Sequence, residues 1–514
     1  MDRLKKIISE WKNPRKNVYY DFDNISNYFY NKKINDFVSD SVVNDIDLDD
    51  IFIYIDRTTS KIGQQYLYFK LRNYQKDEDI TQLSNIFREK PQLREKIQVE
   101  LSALNNRKAY EFEKLFHTNL IKPKQVKYYK YLFLFTLLIL LLSIVNKAFL
   151  LLIIPIFLIN FALHYKNKNY TSYFFDGISQ MLIAYKTAKN ILKNKEIDQI
   201  FDDKEFLNKI NDIKKKSIFI VVGEKLNQPS LIIFWLLFEL IKIFFNLESI
   251  VFFSLMDYIK ENKKHIEKLF VFIGKIDTAI SIIGVEKSNQ TCKPVYVDKK
   301  TINVENIYHP LIQNCVKNNF SLNGKSLLLT GSNMSGKTTF IRTIAINTIL
   351  GKNLNFCFAD KFEIPPMQVL SSIRISDDLF ESKSYYLQEV LKIKEIIEAS
   401  KNSEKSYLFV LDEILKGTNT QERISSAKAI MSYINNSQHI VLVSTHDIEL
   451  VTLLENEYEL FHFSETIADN ELKFDYKIKK GAVSTNNAIK ILELYGYPKQ
   501  IINDAYETKK KLYK

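Results

Sequence analysis

Residues 329–339 read LTGSNMSGKTT and contain a complete G-x-x-x-x-G-K-T phosphate-binding loop, from Gly331 to Thr338. The apolar run at 326–329 predicts a strand before the loop, and residues 340–350 predict a helix after it. A strand, a tight glycine turn and a helix N-terminus are the context in which backbone N–H groups face a phosphate. Only 12 glycines occur in 514 residues, so two at this spacing are a poor match to chance. The sequence therefore predicts that the protein binds a nucleoside triphosphate.

The loop residues have distinct chemical roles. Gly331 and Gly336 allow the backbone to fold closely around an anion, and the Lys337 ammonium would contact the β- and γ-phosphates. The Thr338 hydroxyl would bind the Mg²⁺ that bridges the same oxygens. We include the other loop residues in the predicted nucleotide-binding set: Asn333, Met334, Ser335 and Thr339.

A second predicted strand ends in two carboxylates. Residues 407–411 are apolar and are followed by Asp412 and Glu413, as is typical of a buried parallel strand that delivers acidic groups at its C-terminal edge. Asp412 would hold the metal through water, and Glu413 would orient or deprotonate the attacking water. Alone, the run would favour an ordinary core strand with a solvated acidic turn. Beside a phosphate loop, the catalytic interpretation is favoured.

A third predicted strand, at 439–444, leads to His446. A lone histidine is usually a surface or core residue. This one follows the C-terminal end of a strand, where doubly wound sheets bind their ligands. We therefore predict that His446 senses the γ-phosphate.

Several ordered motifs resemble those of the MutS family of ATPases. The loop is similar to the family's T-G-P-N-M-(G/S)-G-K-S-T, residues 412–420 (DEILKGTNT) resemble its D-E-I-G-R-G-T-S-T, and residues 444–446 (STH) match its S/A-T-H switch. Residues 384–389 stand where that family carries its ABC-type signature helix. Further similar segments are His309-Pro310-Leu311 with Asn318 upstream, and 480–488 and 495–498 downstream. The resemblance covers roughly residues 300–510.

A weaker resemblance lies nearer the N-terminus. Residues 56–63 (DRTTSKIG) are similar to the D-x-T-x-T-x-x-G pattern that begins the MutS core domain, and Ile276-Asp277 resembles the point where that domain returns. The predicted core domain begins at residue 46, and residues 1–45 before it contain no Phe-x-Glu, the family's mismatch-reading wedge. We therefore expect no direct mismatch recognition.

The resemblance implies a homodimer with composite sites. Ser384 would contact the γ-phosphate of ATP held by a second subunit, and residues 489–512 would form a helical dimerisation element or, alternatively, a solvated terminal helix. Val316 and Lys317 would border the adenine, with Tyr476 as a stacking partner. The implied cofactors are ATP and Mg²⁺, with no other small-molecule substrate.

Two apolar runs of about 18 residues, 128–145 and 148–165, predict a transmembrane hairpin. As helices they would each span about 27 Å, close to the thickness of a hydrocarbon core. Lysines flank the hairpin on its outer sides: Lys122, Lys124, Lys127, Lys166 and Lys168. By the positive-inside tendency both flanks face the cytoplasm, which predicts an inner-membrane protein with its ATPase domain in the cytoplasm. The alternative is a buried helical hairpin of a soluble domain.

A third apolar region, 231–256, contains Glu239, Lys242 and Glu248, which are costly in lipid. A single third crossing would also place the phosphate loop outside the cell. We therefore interpret this region as core or interfacial helices. The three cysteines, Cys292, Cys315 and Cys357, show no metal-ligand spacing and fit a reducing compartment.

The predicted fold class is an α/β P-loop ATPase domain of the ABC/MutS type on a mainly α-helical core domain with a transmembrane hairpin. The predicted domains are a short N-terminal segment at 1–45, a helical core at 46–283 interrupted by the hairpin at 128–165, an ATPase domain at 284–486 and a C-terminal helical element at 487–514.

Two functions remain open at this point. The first is a membrane-tethered dimeric ATPase coupled to DNA binding or repair, and the formal net charge of +12 permits such an anionic partner. The second is a membrane ATPase that drives a conformational change in a protein partner, with no role on DNA. An ABC transporter is disfavoured, because one hairpin per chain does not easily form a translocation path and the signature segment lacks L-S-G-G-Q.

Overall fold

The computed structural model describes residues 9, 11–15, 18–119, 122–226, 232–332, 334–374, 385–435, 438–468, 471–482 and 488–512. The chain divides into two compact units. The first, here called the helical unit, comprises Met1–Lys33, Asp56–Phe69 and Asp77–Gly284. The second, the sheet unit, comprises Ile34–Ile55, Lys70–Lys76 and Val285–Lys514. The predicted start of the core domain at residue 46 thus lies inside a segment of the sheet unit.

Helices make up most of the chain before residue 289. In chain order the described α-helices are α1 (Phe22–Ile25), α2 (Asn27–Asn31), α3 (Asp40–Asp45), α4 (Leu48–Ile55), α5 (Lys61–Arg72), α6 (Glu78–Glu89), α7 (Pro91–Leu101), α8 (Lys114–His117), α9 (Tyr129–Val145), α10 (Ile153–Ile191), α11 (Lys195–Asp198), α12 (Glu205–Leu226), α13 (Ile232–Phe244), α14 (Leu247–Glu261), α15 (Lys263–Ser288), α16 (Lys337–Leu354), α17 (Tyr385–Ser400), α18 (Thr420–Ile434), α19 (Ile448–Leu454), α20 (Ala488–Leu494) and α21 (Lys499–Leu512). Short 3-10 helices span Ser102–Leu104, Arg107–Glu113, Lys124–Tyr128 and Lys147–Leu152.

A buried carboxylate organises the helical unit where α5 begins. Asp277, on α15, accepts hydrogen bonds from the backbone N–H groups of Thr59 (2.7 Å) and Ser60 (2.6 Å) and from the Ser60 hydroxyl (2.6 Å). These donors immediately precede the first turn of α5, and the Ser60 hydroxyl oxygen in turn accepts a hydrogen bond from the Gly63 N–H (2.9 Å) within that turn. A Cβ atom on Gly63 would lie 2.2 Å from Asp277 Oδ2, so this position requires glycine. The two segments of the weaker resemblance, 56–63 and 276–277, therefore meet.

The apolar hairpin is helical, but its second arm is longer than predicted. Lys124–Val145 and Lys147–Ile191 are long and apolar enough to cross a membrane, and only 17% of the most apolar window of each is buried. The helix α10 continues without a break from Ile153 to Ile191, past the end of the apolar run at residue 165. Pro155 lies in its first turn, where a missing N–H group leaves no hydrogen bond unmade.

The sheet unit contains the predicted strands. Its strands are β1 (Val295–Tyr296), β2 (Thr301–Ile307), β3 (Asn318–Asn323), β4 (Ser326–Thr330), β5 (Lys361–Ile364), β6 (Gln368–Ser372), β7 (Tyr407–Asp412), β8 (Ile440–Ser444), β9 (Tyr458–His462), β10 (Glu465–Ala468), β11 (Glu471–Phe474) and β12 (Lys479–Lys480). Six of them form one sheet in the order β12-β9-β4-β8-β7-β6, and four form another in the order β1-β5-β2-β3.

The larger sheet is parallel except at β12. All five residues of β4 and of β8 are buried, as expected for strands covered on both faces. Since β8 lies between β4 and β7, the C-terminal ends of these three strands are adjacent. The register pairs Leu329 with Ser444, and Ser444 with Asp412. The phosphate loop and the acidic pair therefore emerge side by side.

Candidate nucleotide-binding site

The phosphate loop joins β4 to α16, and its glycines are required by backbone geometry. Gly331 has φ +145° and Gly336 has φ +103°, both in the region that side chains disfavour. A Cβ atom at Gly331 would lie 2.7 Å from the carbonyl oxygen of Phe463. The turn that leads into α16 therefore favours glycine over any other residue at these two positions.

The Lys337 ammonium lies within this turn. It donates hydrogen bonds to the carbonyl oxygens of Gly331 and Ser332, both at 2.9 Å, and its Nζ is 3.1 Å from Nε2 of His446. Burial lowers the pKa of Lys337 to about 8. The lysine is thus positioned and partly desolvated at the place where the sequence predicts the β- and γ-phosphates.

Asp412, at the end of β7, is hydrogen-bonded both to the end of β8 and to the start of α16, the helix that follows β4. Its Oδ2 accepts a hydrogen bond of 2.8 Å from the Thr338 hydroxyl, and its Oδ1 accepts one from the Ser444 hydroxyl. Hydroxyl and carboxylate oxygens are the ligands that Mg²⁺ prefers, directly or through water. Thr338 and Asp412 therefore fit the predicted metal position, and Ser444 is a supporting residue to which the sequence analysis gave no separate role.

Glu413 and His446 are also brought together. His446 Nε2 is 3.1 Å from Glu413 Oε1, and Lys416 Nζ is 2.8 Å from the other carboxylate oxygen. The hydrogen bond from His446, followed by that from Lys416, lowers the pKa of Glu413 to about 2. Glu413 has φ +52°, unusual for a residue with a side chain, and its backbone N–H donates to the Ser444 carbonyl (2.9 Å). The chain therefore leaves β7 in a strained turn that directs this residue out of the strand.

Val316 and Tyr476, the predicted adenine contacts, are joined by the side chain of Asn318. Its amide nitrogen donates to the carbonyl oxygens of Val316 (3.2 Å) and Tyr476 (3.0 Å), and its amide oxygen accepts from the N–H of Ile478 (2.9 Å). Lys477 Nζ in turn donates to the Lys317 carbonyl (2.6 Å). From the sequence Asn318 is predicted only as part of the upstream resemblance; in the structure its side chain holds the two segments together.

One cavity of about 540 Å³ connects the phosphate loop to these adenine contacts. Its volume lies within the usual range for small-molecule sites. It is lined by residues from both predicted parts of the site, among them Val316, Tyr476, Met334, Lys337, Thr338, Thr339 and Glu413. Ser335, within the loop, is buried, and its hydroxyl donates to the Ser332 carbonyl (2.8 Å).

The cavity is also lined by His309, a buried residue of the upstream resemblance. Burial, together with the nearby Arg342 charge, lowers the pKa of His309 to about 4, so its imidazole is neutral at pH 7. Its Nδ1 accepts a hydrogen bond from the N–H of Leu311 (3.3 Å). His309 therefore shapes the cavity wall without adding charge.

Two predicted site residues, Asn333 and Ser384, lie outside the described residues. Glu389, the last residue of the predicted signature segment, lies on α17. Its buried carboxylate accepts a hydrogen bond from the N–H of Leu415, two residues after Glu413. Burial raises the pKa of Glu389. Sequence reasoning assigned this glutamate no role, although it stands within the quoted motif.

A second ion pair supports the segment that carries His446. The Arg423 guanidinium on α18 contacts both carboxylate oxygens of Asp447, at 3.0 and 2.6 Å. Such a bidentate pair fixes orientation as well as charge. Asp447 is next to His446 along the chain, so this pair positions the turn after β8.

Comparison with known proteins finds a similarity to one family over the region that contains these features. Residues 327–513 match the family model for MutS domain V. The chain is 31% identical over 273 residues to the DNA mismatch repair protein MutS of Staphylococcus haemolyticus, an alignment that covers 51% of this chain and 30% of that protein. It is 30% identical over 277 residues to the protein of the same name from Clostridium botulinum strain Hall, covering 51% of this chain and 29% of that protein. The match thus spans about a third of the length of these relatives.

The lowered pKa of Lys337 predicts a pH dependence of nucleotide affinity. Because phosphates attract the protonated form, ATP binding should weaken as the pH rises through about 8, by up to about tenfold per pH unit above it. Calorimetric titration of ATP between about pH 7 and about pH 9 measures this slope. Lys337→Met is the matched control and should bind more weakly with little slope. A wild-type affinity that stays constant over this range would contradict the assignment.

Proposed function

We propose that this chain is a member of the MutS family, which it matches over domain V, and that it binds and hydrolyses ATP with Mg²⁺. The observation that carries the proposal is the convergence of Lys337, Asp412, Glu413 and His446 at adjacent strand ends, beside a cavity that reaches Val316 and Tyr476. The loop N–H groups and Lys337 would bind the triphosphate, and Val316 and Tyr476 would border the base.

The metal-binding and water-binding roles fall on neighbouring residues. Thr338 and Asp412 would hold Mg²⁺, which supplies charge neutralisation at the phosphate oxygens when bound. Glu413 would orient the attacking water. With a pKa of about 2 it is a weak base, so the contacts with His446 and Lys416 favour orientation over proton abstraction. His446 contacts both Lys337 and Glu413, so it would couple the phosphate position to the water position.

We further propose a homodimer with composite sites, in which Ser384 of one chain reaches the nucleotide of the other. The family resemblance supports this arrangement. At the C-terminus, α20 and α21 form a helix pair with exposed large side chains at Tyr495, Tyr497 and Ile501. Such exposed apolar groups suit a dimerisation element.

The membrane tether is supported by an inverted distribution of polar residues in the hairpin. The helix α10 directs Ile154, Leu158 and Ile159 outward, each at least half exposed, and buries Asn160 and His164. A water-soluble helix shows the opposite arrangement, whereas helices in lipid direct polar groups toward their neighbours. We propose that the hairpin anchors the protein in the cytoplasmic membrane, with the sheet unit on the cytoplasmic side, as the lysine flanks indicate.

Coupling of the ATP cycle to DNA is the final part of the proposal. It is supported by the names of the relatives, which are DNA mismatch repair proteins, and by the net charge of +12. Because the match covers about a third of those relatives, the competing function is a membrane ATPase that acts on a protein partner.

Replacing Glu413 tests the assigned chemistry. Glu413→Gln keeps the size of the side chain and removes the charge that orients water, so turnover should fall by about 10²- to 10⁴-fold while ATP binding persists. Steady-state phosphate release and equilibrium ATP binding measure the two effects. The matched control is Glu449→Gln, an exposed glutamate on α19, which should retain wild-type turnover. Wild-type turnover in Glu413→Gln would show that another group positions the water.

A salt series on the protein in detergent distinguishes the two functions. If the protein binds DNA through several phosphate contacts, affinity should fall by about 10³-fold or more between about 50 and about 200 mM salt, because counterions are released on binding. Fluorescence anisotropy of labelled duplex and branched DNA measures this fall, and ATP turnover at each salt concentration is the control for folding. Absent or salt-independent DNA binding with intact turnover would favour the protein-partner function.

A further inference from the structure

The helix α13 has a strongly apolar outer face, whereas the exposed residues of the following helix, α14, are polar, among them Ser254, Asp257 and Lys260. On α13 the outward residues are at least half exposed: Ile233, Leu236, Leu237, Leu240 and Ile241. Glu239 and Lys242 on the same helix are turned inward and are only partly exposed. This distribution resembles that of the hairpin and is the reverse of a water-facing amphipathic helix.

The inward charged side chains of the pair form ion pairs with one another. Lys242 Nζ is 2.6 Å from Glu239 Oε2 and 2.9 Å from Glu248 Oε2, and His164 Nε2 on α10 lies 3.5 Å from Glu239 Oε1. His164, Glu239 and Glu248 are close enough together to hold a metal ion. The Lys242 ammonium lies between the two carboxylates, however, and makes this cluster an ion-pair network. Paired charges facing a neighbouring helix are the form in which ionisable residues are tolerated beside lipid.

The turn between α13 and α14 lies beside the hairpin at a definite depth. Asn160 on α10 donates to the Phe244 carbonyl at the turn (2.6 Å), and the Phe245 ring is 5.7 Å from that of Phe133 on α9. Asn160 lies inside the apolar run, five residues before its end at Tyr165, which corresponds to about 7–8 Å along a helix. The turn therefore reaches part of the way into the span.

The helix α14 runs back toward the basic flank of the hairpin. Along α14, Ser249 contacts Asn167, on the lysine-rich continuation of α10, where Asn167 Nδ2 is 3.1 Å from Ser249 Oγ. Further along, Asp257 pairs with Lys122, which precedes α9. Just after the pair, Lys263 donates to the Thr118 carbonyl (3.2 Å). The end of α14 is thus held at the basic flank of the hairpin.

We infer that α13 and α14 form a membrane wedge in which the apolar face of α13 contacts the acyl chains of the leaflet next to the flanking lysines. The wedge enters that leaflet, turns at Phe245-Asn246 and leaves on the same side. This inference rests on the proposed membrane tether and assigns a second lipid contact to the chain. Because the wedge does not cross, the sheet unit that follows stays on the side of the flanking lysines.

Tryptophan quenching by brominated lipids tests the wedge. In a Trp11→Phe, Trp235→Phe background, Leu240→Trp or Leu237→Trp reports on the wedge, and Ile154→Trp reports on the hairpin. Tyr506→Trp, in α21, is the aqueous reference. In vesicles of phosphatidylcholine and phosphatidylglycerol, the two wedge positions should be quenched most by bromines near the head group and Ile154→Trp most by deeper bromines.

The outcomes separate the two proposals. Quenching of Ile154→Trp without quenching of either wedge variant would overturn the wedge and leave the tether intact. Absence of quenching at all three positions would overturn both. The side of the membrane on which each end of the wedge lies distinguishes a wedge from a crossing. The variants Lys215→Cys and Lys264→Cys should react with a membrane-impermeant maleimide from the same side of sealed vesicles. The labelling of the parent protein is subtracted. Reaction from opposite sides would mean a third span and would overturn the wedge.

Discussion

The candidate site depends on the carboxylate of Asp412, at the end of β7, which joins the end of β8 to the first turn of α16. One oxygen accepts a hydrogen bond from Thr338 in the first turn of α16, and the other accepts one from Ser444 at the end of β8. Lys337, Glu413 and His446 are close neighbours of these three residues along the chain. In the structure His446 Nε2 lies 3.1 Å from both Lys337 Nζ and Glu413 Oε1, and Lys337 and Glu413 line the cavity. In a parallel sheet this edge is where ligands bind.

Much of this arrangement could be predicted from the sequence, because local patterns determine it. The uniformly apolar runs before Gly331 and Asp412 form the buried strands β4 and β7, and the loop glycines take the backbone angles that their spacing implies. The predicted adenine side depends on contacts that no local pattern reveals. Asn318 and Tyr476 are 158 residues apart in the chain and are joined by one amide hydrogen bond. The supporting roles of Ser444 and Glu389 likewise follow only from the folded chain.

The helical unit shows a second limit of sequence reasoning. Hydropathy identifies the hairpin, but it treats Glu239 and Lys242 simply as unfavourable in lipid. Their cost changes when the two side chains pair with each other and turn toward α10, leaving an apolar outer face on α13. The sequence-based objection to a third crossing also assumed that a span must lead to the other side. A helix pair that turns back removes that conflict, and for this reason three-dimensional pairing decides how residues 232–261 are interpreted.

The central claim, that Asp412 holds Mg²⁺ against a bound triphosphate, is tested most directly by ATP titrations with and without Mg²⁺. Wild-type protein should bind ATP more tightly when Mg²⁺ is present. Asp412→Asn preserves the size of the side chain and removes the negative charge that attracts a cation. This variant should therefore lose the increase in ATP affinity that Mg²⁺ gives, while it retains the metal-independent affinity supplied by Lys337 and the loop. If Asp412→Asn shows the same gain from Mg²⁺ as the wild type, or if the wild type shows none, the account of the site is contradicted.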